Sequence, residues 1–549
     1  MFASEFIKKS WKLYLFIILI SFPPLIDIFK TADLPHTSDG AMHLARFAAY
    51  YKEFTAGQFP VRWASQFNYG YGTPIFNFFH PLPYLAGIPL IALGLSLVNV
   101  LKVSFSFTYI LAGVFMLMFS RFLFKDEKKA LLVTVMYQFA PFRFVEMLVR
   151  GSLGSLYAYM ILPLVFYAVV KFLDKSTYLH FILIAVSVAL LSMSHNIIGF
   201  VFFAISVFYL FFTKANLKKT AAVYFAMAAG LGMAGFYLIP AMIEHKYTYG
   251  YLLTKDLFYE HFPPFYKFII PNITNTAKLR IAEVSIQIGL FHILGLLITI
   301  YLLIRGKLQK MKLLAIYSLV VTAVALLFMQ PVTKPIWENV SFIRQFQFSW
   351  RLLAVICFTS SLTSVFIYQM KFFQKRMVYF GLIILIIIST VYYWVPYQGY
   401  QKVSQEFYWN YPKSTNYFGE INSIWMAGEP KEYPKSRIDI IAGQAEVSNV
   451  KLFPELHRFL VSAKTQATLL DYTQFYPGWK VIVDNNPASI QFQDMNHRGL
   501  ITFNVPAGDH IVSVQYTQNR LQTASNLISI LLVLVLVTGI FIYRGKNII

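Results

Sequence analysis

The chain has 549 residues, of which 57% are hydrophobic, 18% aromatic and only 13% charged. A soluble chain carries about 25% charged residues, so this deficit, with repeated apolar runs of about 20 residues, excludes an ordinary soluble domain and points to a polytopic membrane protein. The formal net charge of +22 would suggest nucleic acid on a soluble protein, but Lys and Arg cluster in short loops between apolar runs. Orientation signals do this, and no nucleic-acid partner is expected.

In chain order, "MFASEFIKKSWKLYLFIILISFPPLIDIF" has basic residues before its apolar stretch and no small-residue cleavage site after it. It reads as an uncleaved first span. Lys8 and Lys9 put the N-terminus in the cytoplasm and residues 30–97 outside. "PLPYLAGIPLIALGL" (81–95) reads as a short helix at the outer surface, because a crossing there would put "KDEKK" (125–129) outside. The basic loops 125–129, 171–176, 214–219, 305–312 and 371–376 and the tail "RGKNII" then all fall inside. The result is roughly 12 spans with both termini cytoplasmic. The single cysteine, Cys357, sits inside an apolar run, so the chain forms no internal disulfide.

Four external segments are too long or too polar to be mere connectors: 30–97, 241–282, 331–349 and 397–522. The last is charged and turn-rich, with short alternating runs, "ATLLDY", "WKVIVD", "LITFNV" and "HIVSVQYT", and turn signals "DNNP" (484–487) and "PAGD" (506–509). These predict a small antiparallel β-domain of sandwich type, tethered by the final span. The fold class is thus an all-α polytopic membrane module (1–396), an extracytoplasmic β-rich domain (397–522) and a final helix with a cytoplasmic tail (523–549).

The stretch "TSDGAMHLARF" (37–47) follows the first span. Ser38 is a plausible N-cap, and Asp39, His43, Arg46, Tyr50 and Glu53 share one face of the helix it would start. Leu44, Phe47, Tyr51 and Phe54 make the apolar face of an amphipathic helix lying at the outer surface. Spacing alone leaves Asp39 open to two readings, a helix-dipole partner or a chemical group. Next, "GQFPVRWASQFNYGYGTPIFNFFHPLPY" (57–84) is dense in aromatics and amides. Interfacial anchoring explains such a loop, while Arg62, Trp63, Asn68, Asn77 and His80 supply stacking faces and donors suited to a sugar.

Further charges stand at the outer ends of spans. In "RFVEMLVRGS", Arg143, Glu146 and Arg150 fall on one face, as an internal ion ladder or a functional group. "IRQFQFSWRLL" (343–353) places Arg344 and Arg351 where an arginine needs a local reason. Snorkelling is one; an anionic headgroup, which guanidinium geometry suits, is another. "SMSHNIIG" sets His195 and Asn196 near an outer end, and "IEHKY" adds Glu244 and His245. No phosphate-binding glycine loop, HExxH or Cys/His ligand set is present in the sequence.

The segments "SDGAMHLARF", "GQFPVRW", "YGYGTPIFNFFHPLPY", "LSMSHN" and "FQFSWRLL", with the ending "YPGWKVIVDNNPASI" to "VSVQYT", resemble a known pattern. It is that of GT-C-type polytopic glycosyltransferases, specifically the bacterial YfhO-like and 6-pyruvoyl-tetrahydropterin synthase-related membrane proteins. The resemblance implies that Asp39 is the catalytic base and that Arg351 and Arg344 hold a donor phosphate. It implies donors on a polyprenyl phosphate or pyrophosphate, with catalysis on the extracytoplasmic side; some such enzymes use a divalent metal such as Mg or Mn. His43, Arg46, Arg62, His80, Glu146 and His195 complete the expected substrate-binding set. The expected partners are a polyprenyl-phosphate-linked sugar, a cell-surface glycan or lipid acceptor and the bilayer of the plasma membrane. A flippase of lipid-linked sugars and a non-catalytic glycan-assembly protein are the competing readings.

Overall fold

A computed structural model describes residues 11–250, 256–271, 285–308, 311–396, 398–416, 419–543 and 547–548. Lys8, Lys9, parts of the expected outer segment 241–282 and most of the tail lie outside the described residues. Most of the chain is helical. Among the described residues, five helices are long and apolar enough to cross a membrane: Trp11–Phe29, Leu97–Phe124, Leu153–Asp174, Ser349–Ile367 and Arg520–Tyr543. Three further pairs qualify together but bend at a break: Glu127–Gln138 with Pro141–Arg150 by 44°, Leu217–Met233 with Gly235–Tyr247 by 73°, and Lys312–Phe328 with Pro331–Asn339 by 78°. Pro141 and Pro331 open the second limbs of two of these pairs, where a missing N–H costs least.

Among the described residues, length and composition therefore give five spans, or up to eight if each bent pair is one span, against the roughly 12 expected from hydropathy and loop charge. The difference lies in apolar helices shorter than a full crossing, among them Tyr178–Ser192, Asn196–Phe212, Leu290–Ile304 and Arg376–Ile388. Leu82–Ala92, with 11 residues, is too short to span.

The helix ends are set locally. Ser96, Asp126, Thr177 and Asn216 each accept a backbone N–H of the first turn that follows. Several of the basic loops touch one another. Tyr379 Oη donates to the Lys128 carbonyl at 2.8 Å, Lys219 Nζ to the Leu173 carbonyl at 2.8 Å, and Ile548 N to the Ser176 carbonyl at 2.9 Å. These loops thus share one end of the bundle. Ser349–Ile367 is the most buried of the spanning helices; its Thr359, Ser360 and Ser361 bond back to carbonyls four residues earlier, and the Thr359 hydroxyl also meets the Thr322 hydroxyl of a neighbouring helix at 2.7 Å. The final helix exposes Leu527, Leu531, Val535 and Phe541, as a lipid-facing surface requires.

Two short strands, β1 (Leu34–Pro35) and β2 (Tyr400–Gln401), pair antiparallel and tie the first outer loop to the segment after the helices. Eight strands follow: β3 (Ile438–Ala442), β4 (Ala445–Phe453), β5 (Leu456–Ala463), β6 (Ala467–Gln474), β7 (Trp479–Val483), β8 (Asn486–Ala488), β9 (Leu500–Val505) and β10 (Gly508–Tyr516). They form two antiparallel sheets, ordered β4-β5-β10-β7-β8 and β3-β6-β9. Period-two burial sets the faces: along β5, His457, Phe459, Val461 and Ala463 are buried while Arg458, Leu460 and Ser462 are exposed. At "DNNP", Asp484 and Asn485 take φ of +47° and +68°, the pair of left-handed residues that a two-residue hairpin turn needs.

The sheets are not a loose appendage. The Glu244 carboxylate, 1% exposed, accepts from Asn77 Nδ2 (2.6 Å), Tyr476 Oη (2.9 Å), Asn519 Nδ2 (2.6 Å) and Gln522 Nε2 (3.0 Å). The first outer loop, the strand region and the last helix thus meet on one buried carboxylate.

Candidate functional site

The helix Gly40–Thr55 carries the polar ladder expected from the sequence, but it does not lie on the surface. His43, Arg46, Tyr50 and Glu53 on one side and Leu44 and Phe47 on the other are all buried. The expected cap is shifted as well. Asp39 holds the cap position with no side-chain capping bond, and Thr37 Oγ1 instead accepts the Gly40 N–H at 3.1 Å. Backbone bonds from Ser38 N to the Val149 carbonyl (3.0 Å) and from Asp39 N to the Arg150 carbonyl (2.8 Å) fasten the helix start to a π-helical turn, Val145–Arg150.

Beside that junction lies a cavity of about 370 Å³ whose wall includes Asp39, His43, Arg46, His80, Arg150, His195, His245, Trp350, Arg351 and Glu420. The basic loops belong to the other end of the helices. Six of the nine residues singled out from the sequence stand on this wall: Asp39, His43, Arg46, His80, His195 and Arg351.

Three histidines form its floor. The His80 and His195 rings stack at 5.2 Å and 17°, and His43 Nδ1 lies 3.1 Å from Tyr84 Oη. Gly154 permits this: a Cβ there would stand 2.3 Å from His80 Nε2 and 2.6 Å from the Ser194 carbonyl. His195 Nδ1 accepts from Ile197 N (3.1 Å) and Ile198 N (3.2 Å), which leaves the ring proton on Nε2. Burial, aided by Arg46, pushes His43 down to about 3. Burial, with His43 and Arg46 nearby, does the same to His80, also to about 3. His195 is driven well below the usual histidine range by burial and then by His80. All three are neutral imidazoles at pH 7.

The guanidiniums are held on aromatic faces. Arg46 lies 4.0 Å over Phe79 and donates to the Thr415 carbonyl (2.6 Å) and hydroxyl (3.1 Å). Arg351 lies 4.6 Å over Phe348 and Arg150 lies 5.0 Å over Trp350, and those two rings are stacked at 5.3 Å and 4°. Gln347, at φ +60°, is a non-glycine residue in the left-handed region, and its Oε1 accepts from Arg351 Nη1 at 3.3 Å. Such backbone clusters at sites that must hold a geometry.

Arg62, Glu146 and Arg344 do not reach the cavity. Arg62 is clamped by Asn77 Oδ1 (2.8 Å), the Phe236 carbonyl (2.8 Å) and Asn526 Oδ1 (3.0 Å), an inter-segment bolt rather than a ligand group. Glu146 is buried in an ion pair with Arg150 at 2.6 Å, the internal ladder reading. Arg344 Nε donates to the Trp337 carbonyl at 3.2 Å. Trp63 and Asn68 are likewise interior. Trp63 packs against Trp479 and Tyr516, and Asn68 Nδ2 donates to Asn422 Oδ1 at 2.9 Å, so neither is an open sugar platform.

Sequence reasoning named Arg150 and His245 without placing them in the expected site and passed over Glu420. Arg150 stood in a charge ladder with two readings, and nothing local marks His245 or Glu420 as neighbours of Asp39. Among the described residues no three His, Cys, Asp or Glu side chains converge as a metal-ligand set.

Residues 76–279 match the family described as 6-pyruvoyl-tetrahydropterin synthase related domain, a membrane protein family. An uncharacterized protein of Lactococcus lactis subsp. cremoris (strain MG1363) is 23% identical over 259 residues, which is 44% of this chain and 41% of that protein. The chain is also similar to the Archaeoglobus fulgidus oligosaccharyltransferase in its apo form, with a TM-score of 0.49, 14% identity and coverage of 78% of this chain and 62% of that one. A second similarity is to the arabinofuranosyltransferase AftD from Mycobacteria, with a TM-score of 0.41, 13% identity and coverage of 70% of this chain and 26% of that one. The chain thus spans less than two thirds of the length of each. His80, Arg150, His195 and His245 of the cavity wall fall within the stretch that matches this membrane-protein family.

Proposed function

We propose that the protein is an integral-membrane glycosyltransferase of the GT-C type that moves a sugar from a polyprenyl-phosphate-linked donor to an extracytoplasmic acceptor, such as a teichoic acid or another cell-surface polymer. The observation that carries this reading is the meeting of Asp39, Arg150 and Arg351 on one cavity wall, with the basic loops gathered at the other end of the bundle. Under the positive-inside rule the cavity then faces outward, the shorter apolar helices complete a twelve-span topology of about that number, and both termini are cytoplasmic in the plasma membrane. Nucleotide sugars are cytoplasmic, so a donor used on the outer side must be carried by a lipid.

In this reading Asp39 takes the proton of the acceptor hydroxyl as its oxygen bonds to the anomeric carbon. The bond from that carbon to the phosphate oxygen breaks, and the electron pair leaves on the polyprenyl phosphate. Arg351 and Arg150 offset the charge that accumulates there. A stable phosphate leaving group needs no general acid, in contrast to the carboxylate pair of glycosidases. The neutral His43, His80 and His195 offer hydrogen bonds to sugar hydroxyls without adding charge. Glu420 and His245 line the cavity from the segments that approach from the β-rich side, where the acceptor enters.

The test is sugar transfer by the purified full chain from a defined polyprenyl-phosphate sugar, with Asp39→Asn as control. Product from the native protein and none from the variant supports the reading. Movement of the intact lipid-linked sugar across a vesicle bilayer, without transfer, would replace it with a flippase.

A further inference from the structure

Two tyrosines of the aromatic loop 57–84, Tyr69 and Tyr71, lie neither on the cavity wall nor deep in the core. Their backbone is unusual. Asn68, Tyr69, Gly70 and Gly72 all take the left-handed region, with φ of +54°, +55°, +82° and +77°. Asparagine and glycine tolerate that region, whereas a bulky tyrosine rarely enters it. Three other segments fasten the loop in this shape. Tyr69 N donates to the Pro412 carbonyl at 2.6 Å, Gln474 N to the Tyr71 carbonyl at 2.8 Å, and Arg437 Nη1 to the Gly70 carbonyl. Asn68 Nδ2 closes the turn on the Gly72 carbonyl at 3.2 Å. A glycine at position 69 would take the same backbone without strain, so what the strain secures is the position of the ring.

The rings gather in a group at the surface. Tyr69 meets Tyr433 edge-to-face at 5.4 Å and 84°, and Tyr71 meets Tyr472 likewise at 5.8 Å and 88°. Tyr433 is 57% exposed and the other three are half-buried. An edge-to-face pair covers one face of one ring and leaves both faces of the other free of its partner. Tyr71 and Tyr472 rest on a small apolar cluster, Met426, Leu470 and Leu500, and Tyr472 Oη donates to Asp439 Oδ2 at 2.9 Å. Gly70 joins the two pairs, since a Cβ on it would lie 3.7 Å from the Tyr433 ring. The group also adjoins the cavity: Asn68 Nδ2 donates to Asn422 Oδ1 at 2.9 Å, and Glu420 and Ile421, immediately before Asn422, stand on the cavity wall.

Ring faces flanked by phenol and carboxylate groups suit a sugar, whose CH face lies on the ring while its hydroxyls bond at the rim. The join to the cavity favours a glycan over a lipid or a protein, because a polymer whose end reaches Asp39 extends past Glu420 and Ile421 onto these rings. We propose that Tyr69, Tyr71, Tyr433 and Tyr472 form a glycan-binding platform, a subsite for sugar units set back from the polymer end that the cavity holds. It rests on the glycosyltransferase reading for the glycan's being the acceptor, but the binding itself is read without transfer.

The probe is the photoreactive residue p-benzoylphenylalanine, placed at position 433 or at the exposed neighbouring position 432 of the full chain, in the cells that make it. A third protein carries it at position 511, where Ile511 is 56% exposed on the other sheet, and gives the background. After irradiation the protein is purified, and its adducts are identified by acid hydrolysis and sugar analysis. Polysaccharide is expected at positions 433 and 432, well above the yield at 511. With the probe at 432, Tyr433→Ala or Tyr69→Ala is expected to cut that yield roughly threefold to tenfold. Tyr433 is exposed enough for its variant to fold, so this arm does not depend on the strained loop. No polysaccharide at either position, a yield no higher than at 511, or lipid or protein as the sole adduct overturns the proposal. So does a Tyr433→Ala protein that melts like the native one and keeps the full yield. Transfer assays separate the two claims: a polysaccharide adduct on a protein without transfer activity keeps the platform and removes the glycosyltransferase, whereas transfer with no polysaccharide adduct removes the platform and keeps the enzyme.

Discussion

Thr37 Oγ1 accepts the backbone N–H of Gly40 at 3.1 Å and thereby takes over the helix cap that stands next to Asp39. Gly151, at φ +66°, makes this possible, since a Cβ on it would lie 2.3 Å from Thr37 Oγ1. The cap at the start of this helix therefore does not depend on the Asp39 carboxyl, and the two residues can be separated by mutation.

Asp39→Asn is expected to lower transfer by about 10²–10⁴-fold, the usual contribution of a general base, with the melting temperature unchanged. Thr37→Ala is expected to do the reverse, costing about 1 kcal/mol of stability while transfer persists. Rate and melting curve measured on both variants decide it. An Asp39→Asn protein that turns over normally would remove Asp39 from the mechanism.

Arg351 is held by a ring face and by two acceptors on one nitrogen, a geometry that a lysine cannot reproduce. Arg351→Lys should raise the KM for the lipid-linked donor by roughly tenfold while leaving that for the acceptor alone. A Lys variant with native donor KM would show that a point charge suffices.

The buried histidines make stability depend on pH. His43 and His80 are held down to about 3 by burial, against an ordinary histidine near 6.5 in the unfolded chain. Below 6.5 the unfolded chain binds protons that the folded chain refuses, so stability is complete above about 6.5 and is lost progressively as pH falls toward 3. The melting temperature of the native protein should drop across that window. In His80→Gln the drop should be shallower, and equal slopes would argue against a neutral His80.

Glu244 predicts how the strand region is attached. Glu244→Ala leaves the buried donors of Asn77, Tyr476, Asn519 and Gln522 without their acceptor and is expected to cost about 3–5 kcal/mol. Proteolysis between the helical part and residue 438 should then accelerate. Unchanged protection would mean that the sheets are secured elsewhere, for example through Arg437, which pairs with Asp471 at 3.4 Å and also donates to the Gly70 carbonyl.

Much of this was legible in local pattern. Apolar runs give the helices, and alternation gives β6, β7, β9 and β10, the four strands expected from the sequence. β4 was not foreseen because it is exposed on both faces from Asn449 onward and so carries no alternation to read. Three of the expected spans are bent pairs because proline or a glycine break interrupts them, which hydropathy averages over.

By itself the sequence determined that the protein is a membrane bundle with a β-rich end and that Asp39, His43 and Arg46 rise along one helix. Period and hydropathy act over a few residues, and those conclusions need no more. Only the tertiary structure decided which charges share a cavity. Arg62 and Arg351 look alike as isolated arginines, yet one is bolted to Asn526 of the last helix and the other lines the cavity with Asp39. That choice depends on how broken helices and distant loops pack. A buried guanidinium goes wherever acceptors and ring faces compensate its charge; Arg62 finds acceptors in Phe236 and Asn526, far along the chain, whereas Arg351 is held by its neighbours Phe346, Gln347 and Phe348 and meets Asp39 only across the cavity.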